Sequence, residues 1–179
     1  MWITSDIMVE EREKVLEKAY DKGFEYEKEY GFCSQAVLSA IQDVFGGVDN
    51  KVIESSHALA GGGALVGDGT CGACAGSMMA ISAFFGRNRD QFNEGEIGDW
   101  MKSSEVSKKV RERFSDEFGS VICNDIQEDI FGRSYNLWDS EDFKAFEDAG
   151  AHEDKCPSVT GRAAKWTAEI LLEEGIEPK

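Results

Sequence analysis

Apolar residues recur at spacings of three and four along most of the chain, separated by charged stretches and glycine stops, which is the pattern of amphipathic helices. In Val9–Tyr30, Val15, Leu16, Ala19, Tyr20, Phe24 and Tyr26 stand among charges, predicting one helix with a solvated polar face. A second is predicted over Ser34–Phe45, ending at Gly46 and Gly47, where a left-handed cap is cheap, and a short third over Lys51–Ala60. Thr70 reads as the N-cap of a helix over Cys71–Phe85 that Gly86 closes, and Ile97–Phe118 forms another long segment stopped by Gly119. The stretch VICNDIQEDIFG predicts a short helix, and Ser140–Gly150 a capped one. The last is predicted to begin at Pro157, a favoured first-turn residue, and to run to Glu174 before Gly175.

Only two prolines interrupt 179 residues, and no series of alternating strands is visible. The pattern therefore predicts an all-α fold: a single compact helical domain over residues 1–179, with a Gly-rich loop preceding a central helix. No internal repeat or low-complexity linker divides it.

Charge narrows the partners. Asp plus Glu exceed Lys plus Arg by 35 to 19, a net charge of −16 that repels nucleic acid phosphates and anionic membranes. The N-terminal MWITSDIMVEEREK lacks the basic and apolar regions of a secretory signal, and no run reaches the length of a membrane span, so a cytoplasmic protein is expected. In a reducing compartment, five cysteines point to metal binding, redox chemistry or core packing rather than to structural disulfides.

Those cysteines draw attention to GGGALVGDGTCGACAG, residues 61–76, where seven of sixteen positions are glycine. Such density implies a backbone that turns sharply or approaches another group closely. Gly67, Gly69 and Gly72 satisfy G-x-G-x-x-G, but the buried flanking strands of a dinucleotide site are missing. Cys71-Gly72-Ala73-Cys74 is the stronger signal. A C-x-x-C in the first helical turn puts its leading thiol where free N–H groups and the helix dipole favour a thiolate, the form that attacks disulfides and binds metals. Cys71 and Cys74 are thus the candidate redox thiols, and Gly72 and Gly76 leave room for a cofactor or backbone to come close.

Cys33 in GFCSQAV, CGACAG from Cys71 to Gly76, Cys123 in SVICNDI and Cys156 in KCPSVTGRAAKWTAEIL together resemble the C_GCAxxG_C_C redox-protein family. The resemblance covers about residues 33–175; Cys74 is an addition at a variable position of the box. It implies a redox function class rather than a particular reaction. Cys33, Cys71, Cys123 and Cys156 each lie near a predicted helix start, so they are expected to gather at one site surrounded by positive dipole ends.

Three readings follow. The four thiols bind an iron–sulfur cluster or another soft metal for electron transfer, or they cycle between dithiol and disulfide, or the chain is a noncatalytic helical scaffold or binding module whose cysteines are packing residues. The redox readings call for a redox partner protein or a small thiol or disulfide, with no nucleic acid and no membrane; homo-oligomerisation is left open. His152, four residues before Cys156 in an acidic stretch, reads as a solvated histidine, and His57 as a helix-boundary residue.

Overall fold

A computed structural model describes residues 2–93, 95 and 97–179. Among these described residues eight α-helices follow in order: α1 (Trp2–Tyr30), α2 (Cys33–Phe45), α3 (Asn50–Ser55), α4 (Gly72–Phe85), α5 (Ile97–Phe118), α6 (Cys123–Phe131), α7 (Ser140–Asp148) and α8 (Cys156–Glu173). The described residues contain no β-strand, only an isolated antiparallel bridge between Thr70 and Ile122. The all-α expectation therefore holds. Among the described residues no helix is long and apolar enough to cross a membrane.

Helix α2 lies at the centre, against α1, α4 and α8. It buries Val37, Leu38, Ile41 and Val44, the apolar stripe that its spacing foretells, together with Ile81 of α4, Val110 and Phe114 of α5, and Ile170 and Leu171 of α8. Each such side chain contributes roughly 1.5–3 kcal/mol on leaving water. Helices α1 and α8 form the most extensive contact. They cross closely because Gly23 and Gly161 present no side chain: a Cβ on Gly23 would lie 2.8 Å from Ala164 Cβ and 2.9 Å from the Thr160 carbonyl. A smaller apolar cluster of Tyr135, Phe146 and Ala151 packs with Phe131 and Leu137, joining α6, α7 and the turn before α8.

Three local expectations are corrected. The helix expected over Lys51–Ala60 stops at Ser55, and a 3-10 turn from His57 follows and breaks where Ala60 becomes extended and Gly61 left-handed. Thr70 does not cap α4. It is held in the bridge to Ile122, with Cys71 N–H donating to the Val121 carbonyl (2.8 Å) and Cys123 N–H to the Gly69 carbonyl (3.0 Å). Backbone pairing has taken the residue that would otherwise cap, and Cys71 itself becomes the N-cap, with extended dihedrals. The last helix begins one residue before Pro157 and runs on from a π-helical turn over Ala151–Lys155.

Candidate thiol cavity

Four of the five cysteines line one cavity of about 450 Å³: Cys33, Cys71, Cys123 and Cys156. Each is brought there by a helix start. Cys33 is the first residue of α2, after Phe32 in the left-handed conformation; Cys71 is the N-cap of α4; Cys123 and Cys156 open α6 and α8. The N-termini of α2, α4 and α6 carry no side-chain cap, whereas Asp49 and Asp139, neither of which lines the cavity, cap α3 and α7. First-turn amides of α2 and α4 thus leave positive dipole ends beside the thiols, whereas in α6 the Cys123 and Asn124 amides donate to the Gly69 and Gly67 carbonyls. Helix α8 differs, because its first turn continues the π-helical turn and the Cys156 N–H bonds to the Ala151 carbonyl.

Two glycines let the backbone come close to the sulfurs. A Cβ on Gly72 would stand 2.5 Å from Cys33 Sγ and 2.9 Å from Ala60 Cα, so the start of α4 packs directly on the Cys33 thiol. In the loop before it, a Cβ on Gly62, whose φ is +76°, would meet the Gly67 backbone at 2.8 Å and Cys123 Cβ at 2.9 Å. Gly76 acts further along α4, against the Ser34 backbone, and so sets the approach of α2 and α4 rather than facing the cavity.

The cavity favours the neutral form of three thiols, Cys33, Cys123 and Cys156. Hydrogen bonding with the Cys71 thiol, then burial and the nearby Glu27, push the Cys33 thiol well above its ordinary range, and only the Gly61 amide acts the other way. Burial pushes Cys123 up to about 12, with Cys33 adding to it and the Gln127 side chain, donating to its sulfur at 3.5 Å, opposing it. Burial, Glu27, Cys33 and Cys123 likewise raise Cys156.

Cys74 lies elsewhere. It is fully buried in the main core, does not line the cavity, and burial pushes its thiol up to about 11. Two cysteines three apart share a helix face only when both are helical. Cys71, with φ −48° and ψ 132°, stands outside the helical register, so the two side chains part.

The polar side of the cavity includes residues that the sequence reading left out. Glu27 is 3% exposed on the buried face of α1, and burial pushes its carboxyl up to about 8. Its signal was present in the sequence: Leu16, Ala19, Gly23 and Glu27 continue one buried stripe at spacings of three and four. His152 is not simply solvated. It lines the cavity, with Nδ1 2.7 Å from Glu147 Oε1 and Nε2 3.9 Å from Glu27 Oε1. His57 does stand at a helix boundary, stacked on Phe32 and bonded to Gln35.

Four thiols are a donor set suited to iron–sulfur clusters or zinc. As placed, however, they line the wall without converging: among the described residues no three His, Cys, Asp or Glu side chains meet closely enough to hold a metal ion. All five cysteines are free thiols.

Comparison with known proteins finds no match among the curated proteins or the solved structures. Comparison with protein families matches residues 31–170 to the family described as "Putative redox-active protein (C_GCAxxG_C_C)". The matched span runs from the residue before the N-cap of α2 into α8 and includes all four cavity cysteines; the chain belongs to the C_GCAxxG_C_C family.

Proposed function

We propose that the chain is a thiol–disulfide exchange protein in which Cys71 and Cys33 form the exchanging pair. The observation that carries this reading is the packing of Gly72, the residue after Cys71, on the Cys33 thiol, with both cysteines on the wall of one cavity large enough for a small substrate. Cys71 is the attacking thiol, because it sits at the uncapped start of α4 where the dipole favours negative charge. Its thiolate attacks one sulfur of a substrate disulfide, the substrate S–S bond breaks, and the expelled thiolate takes a proton. Cys33 then loses its proton, attacks the Cys71 sulfur of the mixed disulfide and expels the second substrate thiol. Two electrons pass to the substrate, which leaves as two thiols, and a Cys33–Cys71 disulfide remains. The same steps reversed oxidise a substrate dithiol.

This assignment gives the resolving role to Cys33 rather than to Cys74, whose burial in the core keeps it from a substrate in the cavity. Cys123 and Cys156 extend the thiol-bearing wall and are available to accept the disulfide in turn. Soft-metal binding would need the same four cysteines to move together; an iron–sulfur cluster held there would supply one-electron transfer, whereas zinc would not.

The test is anaerobic purification with an iron and zinc assay and a thiol count before and after treatment with bis(2-hydroxyethyl) disulfide. The expected result is loss of two thiols and a linked pair of peptides containing Cys33 and Cys71. Stoichiometric iron or zinc with protected thiols favours the metal reading instead. Five thiols that stay free without metal favour a scaffold.

A further inference from the structure

Two of the residues that line the thiol cavity carry unmatched polar atoms. Glu27 Oε2 and Thr160 Oγ1 both belong to residues that line it, both are completely buried, and among the described residues neither atom has a hydrogen-bond partner. Leaving a buried polar group unpaired is costly, and a ligand that satisfies it recovers that cost. Most of the remaining wall is apolar, including Phe32, Leu65, Ile126 and Val159. The exposed Tyr30 and Phe143 stand at its rim, so the cavity reaches the surface. The charged groups of its lining are Glu27, Glu29 and Glu147 against Lys28, with His152 beside Glu27 and Glu147. The balance is negative, as is the whole protein at −16.

From these features we infer that the cavity binds a small molecule with an apolar body and a protonated amine, the amine held by Glu27 Oε2 and Thr160 Oγ1. An ammonium group donates to both atoms, gives the buried carboxyl the counter-charge that it lacks, and draws it into its ionised form. A carboxylate-bearing ligand would instead face three glutamates. Burial lifts the Glu27 carboxyl to about 8, and among the described residues no lysine or arginine pairs with it; only the His152 imidazole is near, with Nε2 3.9 Å from Oε1. Resting on the thiol-exchange reading, the inference names the substrate class of that site: a short organic disulfide or thiol with a terminal amine, small enough to enter the cavity, rather than a disulfide on a folded protein. Its reaction balances as above, one organic disulfide giving two amine-bearing thiols as Cys33 and Cys71 are oxidised.

Two measurements test the site separately from the chemistry. The first is calorimetric binding of 1,6-diaminohexane, which has the length and charges of cystamine without its sulfurs. Wild type is expected to bind it and Glu27→Gln at least about tenfold more weakly. The exposed Glu112→Gln on α5, which removes a surface carboxylate outside the cavity lining, should bind as wild type does. No binding by wild type, or an equal loss in Glu112→Gln, overturns the site. The second compares oxidation of the reduced protein by cystamine and by the neutral bis(2-hydroxyethyl) disulfide. Wild type is expected to favour cystamine by about tenfold or more, and Glu27→Gln to narrow that ratio. A ratio that Glu27→Gln leaves unchanged while both rates fall makes Glu27 a general positioning or proton-handling group and overturns the inference, with thiol exchange intact. If neither disulfide oxidises Cys33 and Cys71, the exchange reading fails, and the substrate class inferred here fails with it. Binding of 1,6-diaminohexane that Glu27→Gln abolishes would then still uphold the amine site.

Discussion

Replacing Gly72 with alanine adds one methyl group at the point where α4, the Cys33 thiol and the 57–62 turn meet. That carbon would lie 2.5 Å from Cys33 Sγ, 2.9 Å from Ala60 Cα and 3.0 Å from the Leu59 carbonyl oxygen. The sulfur can turn away, but the two backbone atoms cannot. Alanine in a helix is normally favoured over glycine by up to about 1 kcal/mol, less at a first helical position such as this. Overpacking against fixed backbone costs about 1–3 kcal/mol, so the clash wins and Gly72→Ala should destabilise by about 1–2 kcal/mol. For a chain of this size that is a fall in Tm of roughly 2–8 °C, measurable by circular dichroism or calorimetry on the reduced protein. The displaced Cys33 sulfur should also slow formation of the Cys33–Cys71 disulfide. An unchanged or raised Tm would refute the close packing of α4 on the 57–62 turn. A lowered Tm with an unaltered rate of disulfide formation would show that this contact does not set the distance between the two sulfurs.

Cys71→Ser should abolish disulfide exchange, whereas Cys74→Ser should weaken it much less and act chiefly by placing a hydroxyl in the apolar core at a cost of about 1–3 kcal/mol; alkylation rates and melting curves of single variants check the order. Glu27→Gln should stabilise the protein increasingly as pH rises. The unfolded carboxyl loses its proton near 4.5 and the folded one near 8, so between those values the folded state binds more protons, and wild-type stability falls by an amount on the order of a few kcal/mol. The Tm difference between variant and wild type, followed from pH 5 to pH 8, should widen; a constant difference would refute the buried, uncompensated carboxyl.

The amphipathic pattern was enough to delimit α5 at Ile97 and Phe118, and to find α2 and α7 to within a few residues at each end, because each of these helices is bounded by local signals that no tertiary contact contests; α6 was found as closely, although its start adjoins a long-range backbone pairing. At Thr70 a tertiary contact did intervene. Pairing of residues 69–71 with 121–123 is a long-range backbone contact, invisible to any local window, and it moved the helix start and turned Cys71 out of register with Cys74. Cys33, Cys71, Cys123 and Cys156 were legible as site candidates from their order and helix-start positions; that all four line one cavity could only come from the fold. Glu27 and His152 were hidden differently. Each is a polar residue in a charged stretch; burial against α8 and the turn before it singles out Glu27, and a place on the cavity wall singles out His152.

The electrostatics of the cavity bear on how many thiols can act at once. Cys71 pushes Cys33 up, Cys33 pushes Cys123 up, Cys33 and Cys123 push Cys156 up, and Glu27 acts on all three, so ionising one thiol makes ionising the next harder. A cavity of this kind, in a protein of charge −16, favours at most one thiolate at a time unless a cation enters. Exchange needs no more than that: one attacking thiolate, then one resolving thiol that gives up its proton only as the mixed disulfide is opened. Binding a soft cation through all four sulfurs would instead require every thiol to lose its proton together, with the cation's charge offsetting the cost. Proton release therefore separates the two chemistries. Disulfide exchange leaves proton number unchanged overall, whereas loading a metal onto the four cysteines would release several protons per ion. A pH-stat titration of the reduced protein with zinc, compared with one using bis(2-hydroxyethyl) disulfide, reads that difference directly.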